Sequence, residues 1–121
     1  MGGGHSVLVV DDEHSIRLLC KVNLELEGYR VLEADTLDEA RRLLRENDVR
    51  AVLLDIHVGS DDGRELMDEI RVGWPGVGVA LFSGSTELGP AAATGADAVI
   101  PKPFTLEQLA GTVARLLGAR V

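Results

Sequence analysis

Cysteine is almost absent. Cys20 is the only one in 121 residues, which excludes an internal disulfide. It falls in a helical pattern, reads as a small buried apolar residue, and fits a reducing compartment. Positive charge is also scarce: 12 Lys and Arg stand against 20 Asp and Glu, for a net charge of −8. The mean field repels phosphate, so nothing electrostatic draws the chain to DNA, RNA or anionic lipid. Any phosphate chemistry must therefore use a local cation. No apolar run approaches the roughly 20 residues that cross a bilayer. Met1-Gly-Gly-Gly-His-Ser6 lacks the basic and apolar regions of a signal peptide. Residues 1–5, His5 included, are read as a disordered leader or an expression scar, and 6–121 as one domain. Repeats, low-complexity tracts and interdomain linkers are missing, and a cytoplasmic location is the default expectation.

What is present is an alternation of strand and helix patterns, which points to a layered α/β fold. Ser6 to Val10 is apolar throughout, as a strand buried on both faces should be. A helix follows from about Glu13 to Glu27, with Ile16, Leu19, Cys20 and Leu24 as its inward stripe and Gly28 as its stop. Tyr29 to Ala34 reads as a more polar edge strand. Thr36-Leu-Asp-Glu39 is a capping box for a second helix with Leu37, Ala40, Leu43 and Leu44 inward. Ala51 to Leu54 is a third strand, and His57 to Gly63 a loop. A third helix turns Leu66, Met67 and Ile70 inward, and Trp74 is expected to pack at the end of the sheet away from the site. Val77 to Phe82 is strand four. Gly84 to Gly95, with Pro90, leaves room for a short helix at best. Strand five spans about Asp97 to Ile100. Thr105-Leu-Glu-Gln108 caps a last helix whose inner face is Leu106, Leu109, Val113, Leu116 and Leu117.

Four of these strands run into a polar residue: Asp11-Asp12, Asp55, Ser83 and Lys102. A parallel sheet lines up its carboxyl ends along one edge, where open α/β sheets bind ligands. Each residue alone has a bland reading as a turn acid, a turn serine or a solvated lysine; their shared position is the argument. Three carboxylates crowded together raise one another's pKa unless a cation is present. Hard oxygen ligands without His or Cys side chains suit Mg²⁺. An ammonium and a hydroxyl beside them would stabilise the oxygens of a phosphoryl group in transfer. Asp55, alone at its strand end, is the expected nucleophile, with the adjacent pair holding metal. His14 reads as an exposed first-turn residue. Gly76-Val-Gly78 precedes a strand and is no nucleotide fingerprint.

Val7-Leu-Val-Val-Asp-Asp-Glu13, Leu53-Leu-Asp-Ile56, Asp62-Gly63, Leu81-Phe-Ser-Gly84 and Gly95-Ala-Asp97 through Lys102-Pro-Phe104 together resemble the response-regulator receiver domain of two-component signalling. The match covers nearly the whole chain. It implies a five-stranded parallel sheet of CheY-like, flavodoxin-like order 2-1-3-4-5 with helices on both faces, an order that comes from the resemblance alone. It implies that Asp55 takes a phosphoryl group from a phosphohistidine on a sensor histidine kinase or histidine phosphotransfer protein. Asp11, Asp12, Asp55 and the backbone carbonyl of His57 would hold Mg²⁺, while Ser83 and Lys102 would contact the phosphoryl oxygens. The Lys102–Pro103 bond resembles the family's cis peptide. His57 and Ser85 stand where the family tunes the lifetime of the phosphoryl group. Implied partners are the kinase and a downstream effector protein or domain, with a homodimer also open and with neither nucleic acid nor membrane. Catalysis is limited to the domain's own phosphorylation and dephosphorylation.

Departures from the family pattern bear on output. Val99 stands where a Tyr or Phe is usual, and valine has no ring to swing inward. Val58-Gly59 replaces the usual Met-Pro, which is expected to loosen the loop after Asp55. Pro90 and the short spacing from Ser83 to Lys102 suggest a remodelled recognition surface. A second reading is therefore a receiver-fold interaction module that works without phosphorylation. A third, a phosphatase with an aspartate nucleophile, is disfavoured because His57 stands where a second acid is expected.

Overall fold

The computed structural model describes residues 6–84 and 95–118. The expected leader, the short helix with Pro90, and Ser85 lie outside them. Five parallel strands form the main sheet: β1 (Ser6–Val10), β2 (Arg30–Ala34), β3 (Val49–Asp55), β4 (Gly78–Ser83) and β5 (Ala98–Pro101). Their order is β2-β1-β3-β4-β5, as the resemblance implied. Four helices are present among the described residues: α1 (His14–Leu26), α2 (Leu37–Glu46), α3 (Gly63–Gly73) and α4 (Leu106–Gly118).

Side chains alternate across a strand, so each central strand feeds two cores. Leu8, Val52 and Val79 face Leu44, Leu66 and Ile70 of α2 and α3. Val7, Leu53 and Ala80 face Cys20 and Leu24 of α1 and Leu109 and Val113 of α4. Burying each Leu or Val contributes about 1.5–3 kcal/mol. This two-sided burial is why the central strands read as unbroken apolar runs. Trp74 packs partly buried against the α2/α3 core, and His14 is exposed, both as expected.

Local signals set the helix ends. Gly28, at φ +94, closes α1 with a Schellman pair, Tyr29 N–H to Leu24 O at 3.1 Å and Gly28 N–H to Glu25 O at 3.0 Å. Thr36 Oγ1 accepts from Glu39 N at 3.1 Å at the start of α2. The Thr105 box is complete: Gln108 N donates to Thr105 Oγ1 at 3.0 Å, and Thr105 N donates to Gln108 Oε1 at 2.8 Å.

Three expectations are corrected. Leu19 is 40% exposed, because the buried arc of α1 centres on Cys20 and Leu24, and at about 100° per residue Leu19 falls outside it. Leu18, Val22 and Leu26 extend the same exposed apolar face. Leu106 is also exposed, since it opens α4 at the carboxyl edge and helical side chains lean back toward the N-terminus, past the sheet. Finally, residues 57–62 form a short hairpin where a loop is expected. His57–Val58 pairs antiparallel with Asp61–Asp62, and Gly59 at φ +62 makes the two-residue turn between them. Asp is a poor strand former, so no β pattern marks this hairpin.

Candidate functional site

The register of the sheet brings the polar strand ends together. β1 lies between β2 and β3, with Val10 beside Leu54, so Asp11 and Asp55 follow paired residues on adjacent strands. Asp55 is paired with Phe82, and Ser83 with Pro101, which sets Ser83 and Lys102 at the same edge. Asp11, Asp12 and Asp55 each offer a carboxylate oxygen, all within 4.8 Å of one another. Asp11 is fully buried, Asp55 is 9% exposed and Asp12 is exposed.

Every buried charge here is answered. Asp11 Oδ1 accepts from Glu13 N at 2.9 Å, and Asp11 Oδ2 accepts from Lys102 Nζ at 2.9 Å. Lys102 Nζ also lies 3.5 Å from Asp55 Oδ2 and 5.4 Å from the centre of the Phe82 ring, which in turn stacks on Phe104 at 5.4 Å. The Lys102–Pro103 peptide is cis. The Ser83 side chain is buried, and its hydroxyl donates to Gly84 O at 3.1 Å.

Burial raises the Asp55 carboxyl above its ordinary value, and the Asp11 charge raises it further, against the opposing pull of Lys102 and the His57 backbone N–H. Burial acts to lower the Lys102 ammonium, but Asp11 and then Asp55 outweigh it and raise it. Cys20 lies beneath the cluster, and burial followed by the Asp11 charge pushes its thiol up to about 12.

Three contributors carry no sequence signature of their own. A Cβ at Gly63 would lie 2.0 Å from the Asp55 carbonyl oxygen, so α3 starts against the site only because residue 63 has no side chain. The sequence signal for this contact is the Asp62-Gly63 pair, which carries part of the family resemblance and lies in the expected loop. Arg17 donates to the Asp11 carbonyl at 2.7 Å and sits 3.4 Å from Glu33. Gly59 N–H donates to Asp12 Oδ2 at 3.1 Å across 47 residues of chain.

A family model described as "Response regulator receiver domain" matches residues 7–114. The chain belongs to this family. The receiver domain is 35% identical over 122 residues to "Sensor kinase CckA" of Brucella abortus (strain 2308), a match that covers 97% of this chain and 13% of that protein. It superposes on the crystal structure of the receiver domain of NtrX from Brucella abortus with a TM-score of 0.86 at 34% identity, covering 93% of this chain and 98% of that one. A CheY-like receiver domain protein from Methanospirillum hungatei JF-1 gives 0.90 at 27% identity, covering 98% and 97%. The receiver domain spans 13% to about half of the length of the curated relatives it matches. Among the described residues, no helix is long and apolar enough to cross a membrane.

Proposed function

We propose that Asp55 accepts a phosphoryl group from a phosphohistidine of a sensor histidine kinase or histidine phosphotransfer protein. A carboxylate oxygen of Asp55 forms the new P–O bond as the P–N bond to the donor imidazole breaks, and the imidazole leaves with a proton. The observation that carries this reading is the cluster of three acids within 4.8 Å with Lys102 beside it. Oxygen donors of this kind fit Mg²⁺, with Asp11, Asp12, Asp55 and the His57 carbonyl as its holders. When bound, Mg²⁺ supplies charge neutralisation between the acids and the incoming phosphoryl oxygens. Lys102 moves its ammonium to those oxygens, and the buried Ser83 hydroxyl offers them a neutral donor. The domain catalyses only its own phosphorylation and dephosphorylation, in the cytoplasm, and switches a surface that an effector reads.

An acyl-phosphate donor with Mg²⁺ should add one phosphoryl group, detected as a single mass increment, and Asp55→Asn should abolish it. Persistent labelling of the Asn variant would overturn the assignment.

One observation favours a second reading, an interaction module insensitive to phosphorylation. Val99 pairs with Leu81 and lines a surface cavity of about 360 Å³ with Gly111 and Thr112, where an aromatic ring is usual in the family. Partner affinity that is equal with and without phosphorylation supports this second reading.

A further inference from the structure

We propose that the backbone N–H of Gly59 is a positioning group for Asp12, tying the hairpin after β3 to the acid pair at the end of β1. The inference rests on the metal reading given above and goes beyond it, because it assigns a role to a residue that departs from the family pattern.

The two adjacent acids differ in how they are held. Asp11 is buried, with both carboxylate oxygens occupied, by Glu13 N–H on one and Lys102 on the other. Asp12 is exposed, and among the described residues Gly59 N–H is the one hydrogen-bond donor to its carboxylate. An exposed aspartate without such a donor samples several rotamers, and fixing one at the moment a ligand arrives costs free energy. The Gly59 bond fixes Asp12 in advance, within reach of Asp11 and Asp55. It takes one acceptor site of Oδ2 and leaves the rest of the carboxylate for a cation.

The hairpin is suited to serve as this anchor because it is fastened at both ends. His57 pairs with Asp62, Gly63 N–H donates to Ile56 O at 2.6 Å, and the Asp62 carboxylate caps α3 through Arg64 N at 2.9 Å. Gly59 sits at the turn of this small frame with φ +62 and open space where a Cβ would be. Two properties of the residue matter: it keeps an amide hydrogen, and it adopts left-handed backbone without strain. A proline supplies neither, since it has no N–H and a φ near −65°. Asparagine keeps the N–H and tolerates left-handed backbone better than most residues with a side chain.

The test is a calorimetric Mg²⁺ titration of the full chain, comparing wild type with Gly59→Asn and Gly59→Pro. Gly59→Asn should bind as wild type does. Gly59→Pro should weaken binding by roughly two- to tenfold, the span that one net hydrogen bond gives. Because proline also disturbs the turn, both are repeated with Asp12→Ala, where Gly59→Pro should change affinity no further. In metal-free protein, the Gly59 amide proton should shift upfield when Asp12→Ala removes its acceptor. Unchanged affinity in Gly59→Pro, an equal loss with Asp12→Ala, or an amide shift indifferent to Asp12→Ala each overturns the proposal. A wild type that binds no Mg²⁺ overturns the metal reading first, and this proposal with it.

Discussion

Lys102 lies closer to Asp11 than to Asp55: its ammonium is 2.9 Å from the fully buried Asp11 carboxylate and 3.5 Å from the Asp55 oxygen. Without a metal, this lysine is the cation that the buried acid depends on. Lys102→Met strands the Asp11 charge and should cost roughly 3 kcal/mol, the penalty for breaking a buried pair from one side. The same variant should bind Mg²⁺ more tightly than wild type and recover most of the lost stability when it does. Thermal melts with and without Mg²⁺ check both parts. A variant that melts with wild type in metal-free buffer would contradict the dependence.

The raised carboxyl of Asp55 gives a pH signature. Burial, then Asp11, holds its pKa above the ordinary 3.8. Between those values the native protein binds more protons than the unfolded chain, so stability from this group falls as pH rises through the window. In metal-free protein at neutral pH, Asp55→Asn should therefore melt above wild type. The gap should narrow as pH drops through the raised pKa toward 3.8. Melting curves across that range decide it, and a gap that widens in acid contradicts the sign.

Gly63 has no room for a side chain. Gly63→Ala brings a Cβ to 2.0 Å from the Asp55 carbonyl oxygen, so the backbone must shift beside the acid cluster. The expected loss exceeds about 2 kcal/mol, in the range that marks a backbone clash and not a surface change. Labelling by an acyl phosphate should fall with it, and a denaturant titration separates the two effects. Gly73→Ala, with nothing within 4 Å of its Cβ, is the control and should stay near wild type.

The Thr105 box, three residues after Lys102, fixes where α4 begins. Thr105→Ala removes an acceptor from a complete reciprocal cap and should cost about 1 kcal/mol. Thr36→Ala at α2 loses a bond that no reciprocal bond accompanies among those described, and should cost no more. Chemical denaturation of the two variants side by side checks the ranking.

Most of the architecture could be read from the chain because the central strands are buried on both faces. Val7 to Val10, Val52 to Leu54 and Val79 to Phe82 announce themselves as apolar runs, and the polar residue after each marks the carboxyl edge. The acids and Lys102 were legible for the same reason: position follows from strand order once the sheet is parallel. What leaves no mark in the sequence depends on backbone atoms. The Gly59 donor is a backbone amide, the contact of Gly63 with Asp55 is with its backbone carbonyl, and the hairpin of residues 57–62 is built partly from aspartates, which carry no β pattern. Leu19 lies at the boundary between the faces of α1, and a four-residue stripe does not locate that boundary to within one residue.

Cys20, the sole thiol, sits buried between α1 and the sheet with its pKa pushed up to about 12. In the native state it offers almost no thiolate to an alkylating reagent at neutral pH. Exposure requires α1 to come away from β1 and β3. Alkylation kinetics therefore time the opening of that helix with a reporter already present in the chain, and every variant above can be followed without adding a dye or a tag.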